Sequence, residues 1–180
     1  GPGSDGESSG GKECFAGRAA ENRCRSGPGQ PGDAMIVLGL DPAIRTTGYG
    51  VIEIAAGKAR ILDCGVIRNS PKLPHSECLR RLSGGVRELV ATFKPAVASL
   101  ESPFVGDNAR TAIILGMARG AILTALAENR IPAYAYSPAT AKRAAVGVAR
   151  ATKAQVALMM AAEFGIAVEE IPDDATDALA

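Results

Sequence analysis

The chain is short of the side chains from which many catalytic and metal sites are built. Among its 180 residues there is no tryptophan and one histidine, His75, and the four cysteines (Cys14, Cys24, Cys64 and Cys78) include no C-x-x-C pair. This argues against a thiolate zinc site and against a disulfide scaffold. A serine–histidine–aspartate mechanism would require His75, which we expect to be solvated in a polar loop.

Long hydrophobic runs are also lacking. No segment approaches the roughly 20 apolar residues of a membrane span, and no signal peptide precedes the first predicted strand. Apolar residues make up 47% of the chain and charged residues 22%, which is ordinary for a globular protein. We therefore expect a cytoplasmic protein with no membrane partner.

Acidic residues are almost missing between residues 109 and 162. Glu128 is the one acid there, and the basic residues are Arg110, Arg119, Arg130, Lys142, Arg143, Arg150 and Lys153. Because the whole chain has a net charge of +1, the remainder is net acidic. Such asymmetry favours a polyanionic partner, although a solvated basic surface would produce the same pattern.

Residues 1–34 differ in composition from the rest of the chain. They are rich in Gly, Ser, Pro and charged residues and poor in branched aliphatic residues, so they cannot bury enough surface to order themselves. We expect a disordered leader, whose first four residues, GPGS, look like a cloning scar. The sequence predicts one folded domain over residues 35–180.

Val- and Ile-rich segments separated by turn residues predict three leading strands over residues 35–41, 48–54 and 60–68. A helix with apolar residues at helical spacing follows over 76–93, then a strand over 95–102, a helix over 108–129 and a strand over 131–137. Helical segments over 137–146, 152–164 and 173–180 complete the chain. This order indicates an α/β fold with a sheet of about five strands.

Two acids stand where predicted strands stop. Asp41 ends the first strand and Glu101 the fourth, so their strand ends would lie about 5 Å apart if the two strands are parallel neighbours. Near the end of the chain, Asp174 and Asp177 share a helical face at a spacing of three, as Asp173 and Asp177 do at a spacing of four. The plainer explanation is structural: Asp173 or Asp174 could cap the last helix, and Glu101 could pair with an arginine.

Acids delivered by three separate segments are harder to explain as caps. Like charges within a few ångströms repel each other unless a cation joins them, and hard divalent ions prefer oxygen ligands. Two such ions roughly 4 Å apart can activate a water and stabilise the leaving oxygen of a phosphodiester. The acids therefore indicate a divalent-metal site for phosphodiester hydrolysis, with Asp41 as one ligand.

Six segments, in this order and spacing, resemble the RuvC-type Holliday-junction resolvases. They are IVLGLDPAIRTTGYGVIE, LESPF, NARTAIILGMARGA, SPATAKRAAVG, TKAQV and DDATDALA, and the likeness covers nearly all of residues 35–180. The resemblance implies an RNase-H-like fold with a mixed sheet flanked by helices, a homodimer, and cleavage of four-way junction DNA with two Mg²⁺ (or Mn²⁺) ions per active site. It also implies a catalytic and metal-binding cluster of Asp41, Glu101, Asp174 and Asp177, with Asp173 left as the cap, and a branch-migration motor as partner.

The resemblance also assigns residues to DNA binding. Phe104 matches the family's aromatic residue that pushes against bases near the cut, and Lys142 and Lys153 match lysines near the scissile phosphate. The basic region from Arg110 to Lys153 would hold backbone phosphates. As plainer alternatives, Phe104 could be a core residue and either lysine a solvated one.

Helix starts give physical support for the two lysines. Ser137-Pro138 predicts the start of the helix that carries Lys142, and the capping box Thr152-x-x-Gln155 puts Lys153 in a first helical turn. Helix N-termini attract phosphate.

The spacing Gly116-x-x-x-Gly120 makes a thin helical face. The simpler expectation is that this face packs against the protein's own sheet. The resemblance implies instead that the helix helps to form the dimer, and symmetric nicking of a four-way junction calls for two active sites about a two-fold axis.

Three features depart from the family pattern. Ala43 stands where the family usually has glycine, and at a positive φ it would cost on the order of 1 kcal/mol. The chain ends at Ala180, where the family's last helix continues, so we expect a truncated final helix after Asp173. The leader has no counterpart in the family.

Two other functions remain open: an RNase-H-like nuclease that processes RNA, and a junction-binding protein without catalysis. An ATPase of the actin and sugar-kinase type is disfavoured, because it needs a second glycine-rich phosphate loop and two such domains.

Overall fold

The computed structural model describes residues 34–102, 108–147, 150–164 and 178–179. Its strands are β1 (Met35–Asp41), β2 (Thr46–Ala55), β3 (Lys58–Arg68), β4 (Val97–Glu101) and β5 (Ala133–Tyr136), and its helices are α1 (His75–Phe93), α2 (Ala109–Glu128), α3 (Pro138–Val146) and α4 (Lys153–Phe164). The predicted α/β fold with five strands is confirmed. His75 begins α1 and does not lie in a loop, and most of the predicted helix over 173–180 falls outside the described residues.

The five strands form one mixed sheet in the order β3-β2-β1-β4-β5. β2 pairs antiparallel with both β1 and β3. β4 pairs parallel with β1, and β5 pairs parallel with β4. The carboxyl ends of β1, β4 and β5 therefore meet along one edge, here called the site edge. This is the part of an α/β sheet where binding and chemistry are usually found.

Helices cover both faces of the sheet. On one face α1 and α2 pack on a core that includes Leu40, Leu82, Leu100 and Ile122. On the other face α4 packs against β3 in a second cluster that includes Val156. Side chains alternate along a strand, so the residues that follow Leu40 and Leu100 point away from α1 and α2.

α2 corrects one expectation about hydrophobic runs. By length and composition alone its 20 residues could cross a membrane, a test that core helices of soluble proteins also pass. Four residues of α2 (Ala118, Ile122, Ala125 and Leu126) are buried in the core that the helix shares with the sheet and α1. The packing accounts for the apolar composition of this part of the helix.

The turn after β1 accepts Ala43 without strain. The non-glycine residues with positive φ in the described part of the chain are Ala56, Lys94 and Arg130, so Ala43 is not one of them. The Thr47 hydroxyl donates to the Ala43 carbonyl oxygen at 2.6 Å and accepts from the Ala43 N–H at 3.2 Å. The penalty of about 1 kcal/mol that a positive φ would have brought does not apply.

Candidate active site

Two carboxylates lie side by side at the site edge. β1 and β4 pair in parallel with Leu40 opposite Leu100, and Asp41 and Glu101 each follow one residue later. Adjacent strands are about 4.8 Å apart, and residues in register on parallel strands share a face. The predicted pairing of the two strands is confirmed, and it brings these two half-buried acids together.

The end of the chain passes over the same face. Gly39 of β1 pairs with Gly50 of β2, and a Cβ on Gly39 would overlap the carbonyl oxygen of Ala178. Gly50 is covered in the same way by the side chain of Leu179. Ala178 directly follows Asp177 in the sequence. Asp177 and Asp174 themselves lie outside the described residues, so their part in the site stays a prediction.

A pocket of about 210 Å³ opens beside Glu101 at the site edge. Its lining residues are Leu40, Ser99, Glu101, Tyr136, Thr140, Ala141, Ala144 and Ala178. The walls of the pocket therefore come from the ends of three parallel strands, from α3 and from Ala178 near the end of the chain. This places open space next to Glu101, and Asp41 follows the lining residue Leu40.

The donor atoms at this edge suit a hard divalent ion. Asp41 and Glu101 offer carboxylate oxygens from rigid strands, the ligand type that Mg²⁺ and Mn²⁺ prefer. In the ranges that the structure describes, no group of three or more His, Cys, Asp or Glu side chains could hold a metal ion. The four-acid cluster predicted from the sequence stays a prediction, since only Asp41 and Glu101 of its members lie in the described residues.

Arg119 is a residue whose position the sequence did not predict. Its guanidinium on α2 donates from Nη1 to the main-chain carbonyl oxygen of Glu101 at 2.8 Å. On the other side, the Ser102 N–H donates to the Tyr136 carbonyl oxygen at 2.7 Å. Both bonds hold the end of β4, the segment that delivers Glu101. The sequence predicted Arg119 only as part of the basic stretch, because nothing local identifies a partner 18 residues away.

The described basic residues of this stretch lie in different parts of the fold. Arg110 is exposed in the first turn of α2, and the half-buried Lys142 lies on α3, which starts where β5 ends at the site edge. Arg130 follows the end of α2, at the opposite edge of the sheet, and Arg119 is bonded within the protein. The expectation that the region from Arg110 to Lys153 holds phosphates stays a prediction, with its basic side chains spread over different parts of the fold.

The helix starts that supported the two lysines are confirmed. The Ser137 hydroxyl accepts from the Thr140 N–H at 3.1 Å, which caps α3. The Thr152 N–H donates to the Gln155 side-chain oxygen at 2.9 Å, and the Gln155 N–H donates to the Thr152 hydroxyl at 3.3 Å, so the capping box is present. Lys153 is the first residue of α4.

The roles predicted for DNA-binding side chains remain predictions. Phe104 lies outside the described residues. Nothing in the structure tests whether Arg110, Lys142 or Lys153 contacts DNA.

The glycine face of α2 is open. In the described part of the chain, no neighbouring atom lies within 4 Å of a Cβ built on Gly116 or Gly120. The apolar residues beside them are exposed as well, Ile113 by 64% and Met117 by 38%. The expectation that this face packs against the protein's own sheet was wrong, because Ala118 and its buried neighbours form the packed side of the helix.

Comparison with known proteins identifies close sequence relatives. The sequence pattern of the family described as crossover junction endodeoxyribonuclease RuvC matches residues 37–180. The chain is 43% identical over 145 residues to a crossover junction endodeoxyribonuclease RuvC of Chlorobaculum parvum, a match that covers 81% of this chain and 78% of the relative. With a protein of the same description from Chloroflexus aurantiacus the identity is 39% over 146 residues, covering 81% and 89%.

Solved structures give the same picture. RuvC of T. thermophilus in complex with a Holliday junction substrate superposes with a TM-score of 0.75 at 36% identity, covering 81% of this chain and 88% of that one. The yeast mitochondrial Holliday junction resolvase Ydc2, at 15% identity and a TM-score of 0.55, covers 81% and 78% and shows a common fold alone. The RNase-H-like fold implied by the sequence resemblance is confirmed.

Proposed function

Because the chain belongs to the crossover junction endodeoxyribonuclease RuvC family, we propose that it resolves four-way DNA junctions by symmetric nicking during recombination and repair. The observation that carries this proposal is the in-register placement of Asp41 and Glu101 at adjacent parallel strand ends, with an open pocket beside Glu101. A cytoplasmic location and a branch-migration motor as partner belong to the same proposal.

The proposed catalytic cluster consists of Asp41, Glu101, Asp174 and Asp177, which would hold two Mg²⁺ or Mn²⁺ ions. When bound, such ions supply activation of a water for in-line attack and neutralise charge on the leaving oxygen. The chain's own contribution is to fix the carboxylates: sheet pairing holds Asp41 and Glu101, and Arg119 holds the carbonyl end of β4. The products would be a 5′-phosphate and a 3′-hydroxyl.

The proposed DNA contacts surround this cluster. Arg110, Lys142 and Lys153 would bind phosphates, and Phe104 would stack on a base near the cut. Each phosphate contact releases condensed counterions from the DNA, so junction affinity should fall steeply as salt rises.

Nicking of a labelled synthetic four-way junction tests the proposal. In Mg²⁺ we expect paired nicks at symmetric positions, none on a linear duplex with the same arm sequences, and none in EDTA. A structured RNA is the third substrate to be tested beside the junction and the linear duplex. Preferential cutting of the RNA would favour an RNA-processing nuclease, and tight junction binding without nicking in Mg²⁺ or Mn²⁺ would favour a non-catalytic binder.

The open face of α2 supports the proposed homodimer. Ile113, Gly116, Met117 and Gly120 recur at helical spacing and are all exposed. Small residues allow a second helix to approach closely, and apolar neighbours gain from being covered. Two copies related by a two-fold axis would present one active site to each of two equivalent strands.

Substituting Ile113 by glutamate should shift the protein toward monomers and reduce paired nicking. Leu158→Glu is the matched control, because Leu158 is 62% exposed on α4, away from the glycine face. Sedimentation at several concentrations measures the assembly, and thermal unfolding checks that both variants are folded. Dimers of equal stability in wild type and Ile113→Glu would exclude this face as the interface.

A further inference from the structure

Tyr136 extends the row of strand-end residues beyond the two acids. It ends β5 and lies opposite Glu101 in the parallel ladder, so the two side chains share a face. Tyr136 is 45% exposed and lines the same pocket as Glu101. Among the described residues its hydroxyl has no hydrogen-bond partner. Asp41, Glu101 and Tyr136 thus form a continuous row across β1, β4 and β5.

A neutral donor fits this position better than a cation would. A lysine or arginine one strand away from Glu101 would form an ion pair with it and compete with a metal ion for the carboxylate. A phenol can donate to a charged oxygen without neutralising its neighbour. A tyrosine side chain is also longer than that of a glutamate, so its hydroxyl can reach farther from the sheet than the carboxylate can.

We propose that the Tyr136 hydroxyl donates a hydrogen bond to a non-bridging phosphate oxygen of the strand being cut and so positions that strand over Asp41 and Glu101. This inference rests on the proposed nuclease function. Thr140 and Ala141, in the first turn of α3, line the same pocket. The contacted phosphate would therefore lie between the end of β5 and the start of α3.

Tyr136→Phe tests the hydroxyl while it keeps the ring. Tyr134→Phe is the matched control, because Tyr134 lies two residues earlier on the same face, is 56% exposed and does not line the pocket. In single-turnover nicking at saturating protein, we expect Tyr136→Phe to be slower by about 10-fold or more, the range expected for losing a hydrogen bond to a charged acceptor. Tyr134→Phe should keep the wild-type rate, and thermal unfolding should be unchanged in both.

A substrate series identifies the phosphate. Junctions carry a single methylphosphonate, which removes the charged oxygen, at successive positions around the cut. At the contacted position the rate difference between wild type and Tyr136→Phe should vanish, because the acceptor oxygen is then missing for both proteins and neither can form the bond.

Three results would overturn the assignment of Tyr136 alone: wild-type nicking by Tyr136→Phe, an equal loss in Tyr134→Phe, or a rate difference that persists at every substituted phosphate. Absence of nicking by the wild type would overturn the proposed function, and the assignment of Tyr136 with it.

Discussion

Asp41→Asn is expected to slow junction nicking by at least about 100-fold, because loss of this proposed metal ligand would remove several kcal/mol of transition-state stabilisation. The substitution keeps the shape of the side chain and exchanges a charged oxygen for an amide nitrogen. Asp41 sits at the end of a central strand held by β2 on one side and β4 on the other, so its neighbours should keep their places. The loss should therefore lie in chemistry and not in folding.

The affinity of Asp41→Asn for junction DNA should not fall with its nicking rate. Asp41 and Glu101 place two negative charges next to a polyanion, so removing one of them should leave junction affinity in EDTA equal or tighter. A variant that binds well, folds well and does not nick is the expected combination.

The measurement is a nicking time course on the synthetic junction, paired with a gel-shift titration in EDTA. Glu88→Gln is the matched control, because Glu88 is an exposed acid on α1, across the sheet from the pocket. Nicking by Asp41→Asn within about threefold of wild type would remove Asp41 from the mechanism.

Local patterns in the sequence were enough to find the elements and their ends. Apolar periodicity, glycine-marked turns and capping residues act over a few positions, and they placed every described strand and helix within two residues of where the structure has it. The same logic put Asp41 and Glu101 at strand ends. Their adjacency then followed from one assumption, parallel pairing of β1 with β4, which the structure bears out.

What the sequence did not predict depends on contacts between distant segments. In the sequence Arg119 cannot be told apart from the other basic residues around it. Its structural role follows only from its partner, the main-chain carbonyl of Glu101. Tyr136 ends a strand, as the two acids do. A search for polar residues of every kind at predicted strand ends, and not for acids alone, would have found it. Gly39 gives no local signal, because the atom that forbids a side chain there belongs to Ala178.

Gly39→Ala is the second substitution with a large expected effect. The added Cβ would overlap the Ala178 carbonyl oxygen, a main-chain atom that cannot rotate away as a side chain does. The segment carrying Ala178 must then move off β1. Asp177, which precedes Ala178 in the sequence, would be displaced with it from the proposed metal site. We expect the Mg²⁺ concentration for half-maximal nicking to rise by about 10-fold or more, as when the supports of metal ligands are removed.

A graded series separates this effect from general damage. At Gly50 the added Cβ would meet the side chain of Leu179, which can adjust, so Gly50→Ala should be milder. At Gly84, within α1, no neighbouring atom lies within 4 Å in the described structure, and alanine should stabilise the helix by roughly 0.5–1 kcal/mol with nicking unchanged. Saturating Mg²⁺ should recover part of the activity of Gly39→Ala, because a displaced ligand weakens binding without removing the other acids. If instead Gly39→Ala keeps the wild-type Mg²⁺ dependence and rate, the end of the chain does not hold the catalytic cluster over β1.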